Sequence, residues 1–223
     1  MTNSQKVKKL VGLATLTALV VGLQFLSNYV TFGSVSITLA LIPIAMGAIL
    51  YGPLAGLFLG AVMGGIVLTA PSTITYFLEP HPVATIILCL LKTGAAGLVS
   101  GYLFKLFAFI AKKQDNVNKK KGLFAAGIIV AALVVPVINT GIFIMGATWF
   151  FSDVYGSFTI VVDAVLTTNF LIEFLVSALL SPALVTLVKV LTRQYDLGFA
   201  NDFSQFIDED DKDLELENVS LNA

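Results

Sequence analysis

Of the thirteen Lys and Arg residues in this chain, only Lys92 lies in the interior of an apolar run long enough to cross a bilayer, residues 83–104. A lysine at mid-membrane costs about 2.5–3.5 kcal/mol even on the lenient insertion scale, so it faces a partner, a cavity or a ligand. A helix starting at Pro82 would carry Lys92 ~15 Å below the outer surface, close to the midplane. Thr85 and Cys89 precede it on the same helical face. Two further apolar runs bring polar groups to similar depth. Residues 123–146 hold Asn139 and Thr140 just after Pro136, whose missing N–H frees the Ala132 carbonyl and predicts a kink. Residues 161–190 hold Asn169, Glu173 and Ser177 at i, i+4, i+8, with Asp163 nearer the outer end.

These residue types suit binding better than bond-making. Lys92 is a cation for an anionic group, and Asn139, Thr140 and Asn169 offer neutral hydrogen bonds. Glu173 has three readings: a structural ion pair with Lys92, an orienting partner that turns Lys92 toward a ligand, or one half of a proton relay. Catalytic sets are missing. Cys89 is the one cysteine and is read as a small packing residue, which rules out a disulfide framework and a thiolate metal site. His81 is the one histidine, set between Pro80 and Pro82 as a loop residue, so no multi-histidine site exists. An enzyme is not expected.

What must position these groups is a membrane bundle. The chain is 57% hydrophobic and 12% charged, against roughly 25% charged in soluble domains. A net charge of -1 argues against a nucleic-acid partner. Six apolar runs, 10–28, 37–50, 54–70, 83–104, 123–146 and 161–190, have about the length a helix needs for a hydrocarbon core. The second is short and contains Pro43, which predicts a kinked or tilted helix. The first is longer than a typical signal-peptide core, and Ser27-Asn28-Tyr29 offers no small-residue cleavage site, so it is expected to remain a helix. Lysines and arginines cluster at 6–9, 105–121 and 189–193, while segments 28–36, 70–82 and 146–158 carry none. The positive-inside rule then predicts an all-α integral membrane protein, a six-transmembrane-helix bundle with cytoplasmic N- and C-termini. The membrane domain is expected to occupy residues 1–195. Residues 196–223, with the acidic run Asp208-Glu209-Asp210-Asp211, read as a solvated, disordered cytoplasmic tail.

Small residues mark close helix contacts. Gly52, Gly56, Gly60 and Gly64 form a bare ridge expected to pack inside the bundle, and Ala14, Ala18 and Gly22 form a second line that suits either internal packing or docking on another membrane protein. In the outer segments, Trp149, Phe150 and Tyr155 belong to an aromatic cluster that suggests a gating lid over an outward-opening cavity.

The stretch Phe32-Gly33-Ser34-Val35-Ser36-Ile37-Thr38-Leu39-Ala40-Leu41-Ile42-Pro43-Ile44 with Gly47-Ala48-Ile49-Leu50-Tyr51-Gly52-Pro53-Leu54-Ala55-Gly56 resembles the second-to-third-helix signature of substrate-binding (S) components of energy-coupling factor (ECF) transporters. Ala14 and Ala18 resemble that family's AxxxA motif. The resemblance spans about residues 8 to 193 and implies a multi-pass protein of the bacterial plasma membrane. Such a protein captures a vitamin outside and topples to deliver it inward. It further implies docking, through Ala14, Ala18 and Gly22, on a transmembrane coupling subunit (T component) that carries two ATPases. ATP and Mg would bind only in those partners, since no phosphate-binding GxxxxGK[ST] loop is present here. The runs Leu90-Leu91-Lys92-Thr93-Gly94 and Val137-Ile138-Asn139-Thr140-Gly141-Ile142-Phe143 look most like pantothenate-specific members. Pantothenate would offer a carboxylate to Lys92 and an amide and hydroxyls to Asn139, Thr140 and Asn169. Niacin, folate, biotin and riboflavin are the alternative cargoes, and a stand-alone proton-coupled secondary carrier is the alternative function.

Overall fold

The computed structural model describes residues 3–29, 31–32, 35–36, 38–155 and 170–194. Asn169 and the acidic tail lie outside the described residues. Helix α1 (Asn3–Tyr29) leads into a two-residue antiparallel hairpin, β1 (Thr31–Phe32) and β2 (Val35–Ser36), with Thr31 opposite Ser36. Helices α2 (Leu41–Tyr51), α3 (Pro53–Val67), α4 (Pro71–Leu78), α5 (Pro82–Lys112), α6 (Val117–Phe150), α7 (Ser152–Tyr155) and α8 (Leu171–Gln194) follow. Apart from the hairpin the described architecture is helical.

Each of the six apolar runs contributes a helix, but the helices are unequal. Four are individually long and apolar enough to cross a membrane: those over Gln5–Asn28, Pro82–Lys112, Val117–Phe150 and Leu171–Thr192. Helices α3 and α4 meet at a 74° bend and make a fifth crossing if taken as one broken span. The segment after residue 70, expected as a loop, is therefore largely helical, and residues Ile74–Leu78 form a π-helical turn within it. Helix α2 has 11 residues, a rise of only ~16 Å against a core of about 30 Å.

Helix α2 tolerates that shortness because protein surrounds it. Leu41, Ile44, Ala45, Ala48, Ile49 and Leu50 are all buried, as expected of a helix that is apolar all round. Pro43 does not kink it. The helix begins at Leu41, so Pro43 occupies the first turn, where its absent N–H has no intrahelical acceptor to lose. Gly52 ends α2 at φ 99°, a backbone region that suits glycine, and Pro53 starts α3 at once.

The glycine ridge of α3 packs inside the bundle against α5. A Cβ added at Gly56 would strike the Gly97 carbonyl, one at Gly60 the Thr93 carbonyl, and one at Gly64 the Cys89 carbonyl. The partners step by four residues in opposite directions, so the two helices run antiparallel with backbones touching. Helix α5 then turns through residues 113–116 into α6, with Asn116 Oδ1 accepting from the Lys119 N–H at 3.2 Å. Between these two helices the buried Ser100 hydroxyl donates to the Ala131 carbonyl at 2.8 Å. Helix α6 runs without interruption through Pro136. On α8, Glu173, Ser177, Ser181, Leu184, Val188 and Thr192 form one buried stripe at helical spacing.

Candidate functional site

The zipper between α3 and α5 fixes the depth of Lys92. Thr93 is fully buried against Gly60, and its neighbour Lys92 emerges beside that seam, half-buried, into a cavity of ≈ 200 Å³. The cavity lies at the end of the bundle away from the α5–α6 connection. It is walled by Gln24, Ser27 and Asn28 of α1, Thr38 ahead of α2, and Met63 and Val67 of α3. Ala70, with Ser72, Thr73 and Phe77 of α4, Cys89 of α5, Asn139, Thr140 and Phe143 of α6, and Glu173 of α8 complete it.

Lys92, Asn139, Thr140 and Glu173, four residues singled out from their sequence positions, thus face one space. Lys92 and Glu173 make no direct ion pair among the described residues. Lys92 Nζ lies 4.7 Å from the Phe143 ring centroid, a cation–π contact. Glu173 is buried, with a hydrogen bond to the Thr38 side chain and the charge of Lys92 acting on it across the cavity. The ammonium therefore keeps donor capacity that no carboxylate of the described protein consumes. Cys89 also lines the cavity, a position beyond its expected packing role.

Two acceptors on wall residues have no partner among the described residues. Asn139 Oδ1 and Gln24 Oε1 are buried without a hydrogen bond. A buried polar atom left unpaired costs about 1–3 kcal/mol, so each one calls for a reason, such as a bound group that completes it. The wall therefore mixes polar and charged groups with apolar ones, inside a bundle of helices apolar enough to cross a membrane, where polar groups cost stability. Its chemistry fits an anionic small molecule with neutral polar groups.

The expected lid residues are placed differently from one another. Trp149 is 83% exposed and does not line the cavity. Phe150 is also exposed, and the side chain of Tyr155 lies outside the described detail. The aromatic that turns inward is Phe151, fully buried. Its ring packs edge-on against Phe77 at 5.3 Å, and Phe77 in turn meets Phe143 at 5.4 Å. His81, at the start of α5, packs on Phe151 at 5.3 Å and holds Asp153 through Nε2 at 3.0 Å. An aromatic chain thus runs from Lys92 to the rim, with the α5 start and α7 tied across it.

On the first helix, Ala14, Ala18 and Gly22 are exposed, and a Cβ added at Gly22 would meet nothing. With Leu10, Leu13, Val21 and Phe58 they line a shallow apolar groove on the outside of the bundle. Gln24, Ser27 and Asn28 went unmarked as site residues, although their i, i+3, i+4 spacing at the end of an apolar helix was visible. Thr38 and Phe77 carried no comparable signal, because the hairpin and the 74° bend bring them in.

The family model described as "ECF transporter, substrate-specific component" matches residues 8–185. No curated protein and no solved structure matches the chain.

Proposed function

We propose that this chain, which belongs to the family of substrate-specific components of ECF transporters, captures a carboxylate-bearing vitamin from outside and delivers it inward. Membership makes it the specificity subunit of a membrane transporter rather than an enzyme. The finer assignment rests above all on Lys92: a cation in a membrane-length helix that faces the cavity and, among the described residues, forms no direct ion pair with a carboxylate. A vitamin carboxylate supplies the missing anion, and a charge-assisted hydrogen bond there is roughly twice as strong as a neutral one.

Pantothenate is the best-suited cargo. Its carboxylate meets Lys92, while its amide and hydroxyls meet Asn139, Thr140 and Asn169, with Glu173 and Thr38 bounding the site. Capture is from outside, with six membrane passages and both termini cytoplasmic in the bacterial plasma membrane. Delivery requires docking through Ala14, Ala18 and Gly22 on a T component that carries two ATPases, where ATP and Mg act. The exposed small-residue groove on α1 supports that docking face.

The test is equilibrium binding of a vitamin panel to the purified protein: pantothenate, nicotinate, biotin, folate, riboflavin and thiamine. A saturable response to pantothenate with silence from cationic thiamine is expected. A response to another carboxylate vitamin would correct the cargo. A response to thiamine, or uptake by the chain alone in liposomes under a proton gradient, would contradict the proposal.

A further inference from the structure

We propose that Gln24 determines ligand specificity in this cavity, its Oε1 accepting a hydrogen bond from an N–H or O–H group of the bound carboxylate. The inference rests on the capture reading and narrows its substrate class to carboxylates that also carry a neutral donor, so that a bare aromatic carboxylate is a poor fit.

The polarity of Gln24 follows from a chain of hydrogen bonds that ends on backbone. Asn28 lies 3.0 Å from the Ile66 carbonyl and 3.3 Å from the Thr69 hydroxyl oxygen. A carbonyl only accepts, and the Thr69 hydroxyl already donates its one proton to that carbonyl at 2.7 Å. The Asn28 group facing both must therefore be Nδ2, which turns Oδ1 toward Gln24. Gln24 must then donate through Nε2, at 2.8 Å. Its remaining atom, Oε1, is fixed as an acceptor and, among the described residues, is buried with no partner in a side chain only 4% exposed. No rotation of either amide escapes this, because each flip sets two donors or two acceptors face to face.

The same chain gives the residue a reason to be polar at all. The clip from Gln24 through Asn28 ties the outer end of α1 to the end of α3, where the bundle bends into α4. Tying two helix ends together needs only Nε2. The unfilled Oε1 is surplus to that task, and Gln24 lines the cavity shared with Lys92.

The experiment is calorimetric titration of the purified full chain and of Gln24→Met, which keeps side-chain length and removes the acceptor. The ligands are pantothenate and derivatives lacking one donor each: either hydroxyl replaced by hydrogen, or the amide N–H by an ester oxygen. Gln24→Met is expected to weaken pantothenate by about tenfold or more. One derivative is expected to bind the unaltered protein about tenfold more weakly and to be indifferent to the substitution. Equal loss across pantothenate and every derivative would mark a merely structural residue and overturn the inference, as would no loss at all. If Gln24→Met does not fold, the derivative series on the unaltered protein decides: no derivative weakened overturns it. Absence of binding by the unaltered protein to every vitamin of the panel would instead defeat the capture reading, and this inference with it.

Discussion

Lys92, Asn139, Thr140 and Glu173 announce themselves in the sequence for one physical reason. Each is polar or charged where twenty apolar neighbours say lipid, and the cost of placing it there must be offset by something it touches. The structure brings all four to one cavity. Gln24, Ser27 and Asn28 gave a weaker signal because polar residues at a helix end are ordinary at a membrane interface. Burial distinguishes the first two: Gln24 is 4% and Ser27 6% exposed. Glu173 invites a prediction of its own. Glu173→Gln keeps an acceptor for the Thr38 hydroxyl and removes a negative charge from the surroundings of the ligand carboxylate. Affinity for pantothenate is expected to stay within about tenfold of the unaltered protein, or to tighten. A collapse in affinity, read by titration, would show that Glu173 orients Lys92 or meets the ligand directly.

At the scale of elements, the four-residue glycine period predicted a tight interhelical seam, and α3 meets α5 along it backbone to backbone. The period could not say which helix would answer, since Cys89, Thr93, Gly97 and Gly101 of α5 include only two glycines. Gly60→Ala forces a Cβ onto the Thr93 carbonyl, a rigid backbone atom. It is expected to lower stability by about 1–3 kcal/mol, as overpacking does, and to weaken ligand binding by shifting Lys92. Gly65→Ala, where a Cβ meets nothing within 4 Å, serves as the neutral comparison. Thermal unfolding in detergent checks both, and equal melting temperatures would refute the seam. The shortness of α2 was legible in its run, but its burial and the bend between α3 and α4 were not, because hydropathy reports how apolar a run is. It does not report whether protein or lipid surrounds that run, nor where a helix turns.

Across the whole molecule, cation asymmetry predicts the ends of the bundle, and the site sits toward the end whose connecting segments carry no Lys or Arg. That arrangement has a direct chemical test. In a Cys89→Ser background, a cysteine at Asp153 is expected to react with a membrane-impermeant maleimide in intact cells, and a cysteine at Gln114 only after lysis. The reverse pattern would invert the topology. The exposed groove at Ala14, Ala18 and Gly22 lies on a different part of α1 from the cavity-lining Gln24, Ser27 and Asn28, so on the proposed reading docking and ligand binding are separable. Ala14→Leu with Ala18→Leu is expected to leave pantothenate affinity unchanged while abolishing uptake in cells that supply the T component and ATPases. Retained uptake, measured with radiolabelled vitamin, would place the docking face elsewhere.

The most direct measurement of the central claim compares pantothenate binding to the unaltered protein and to Lys92→Met by isothermal titration calorimetry. Methionine preserves the length and apolar stem of the side chain, so the cavity wall survives and only the charge is lost. Saturable binding that falls by about a hundredfold in Lys92→Met, with an unchanged melting temperature, is the expected result. Binding of equal strength in both proteins would contradict a ligand carboxylate held by Lys92.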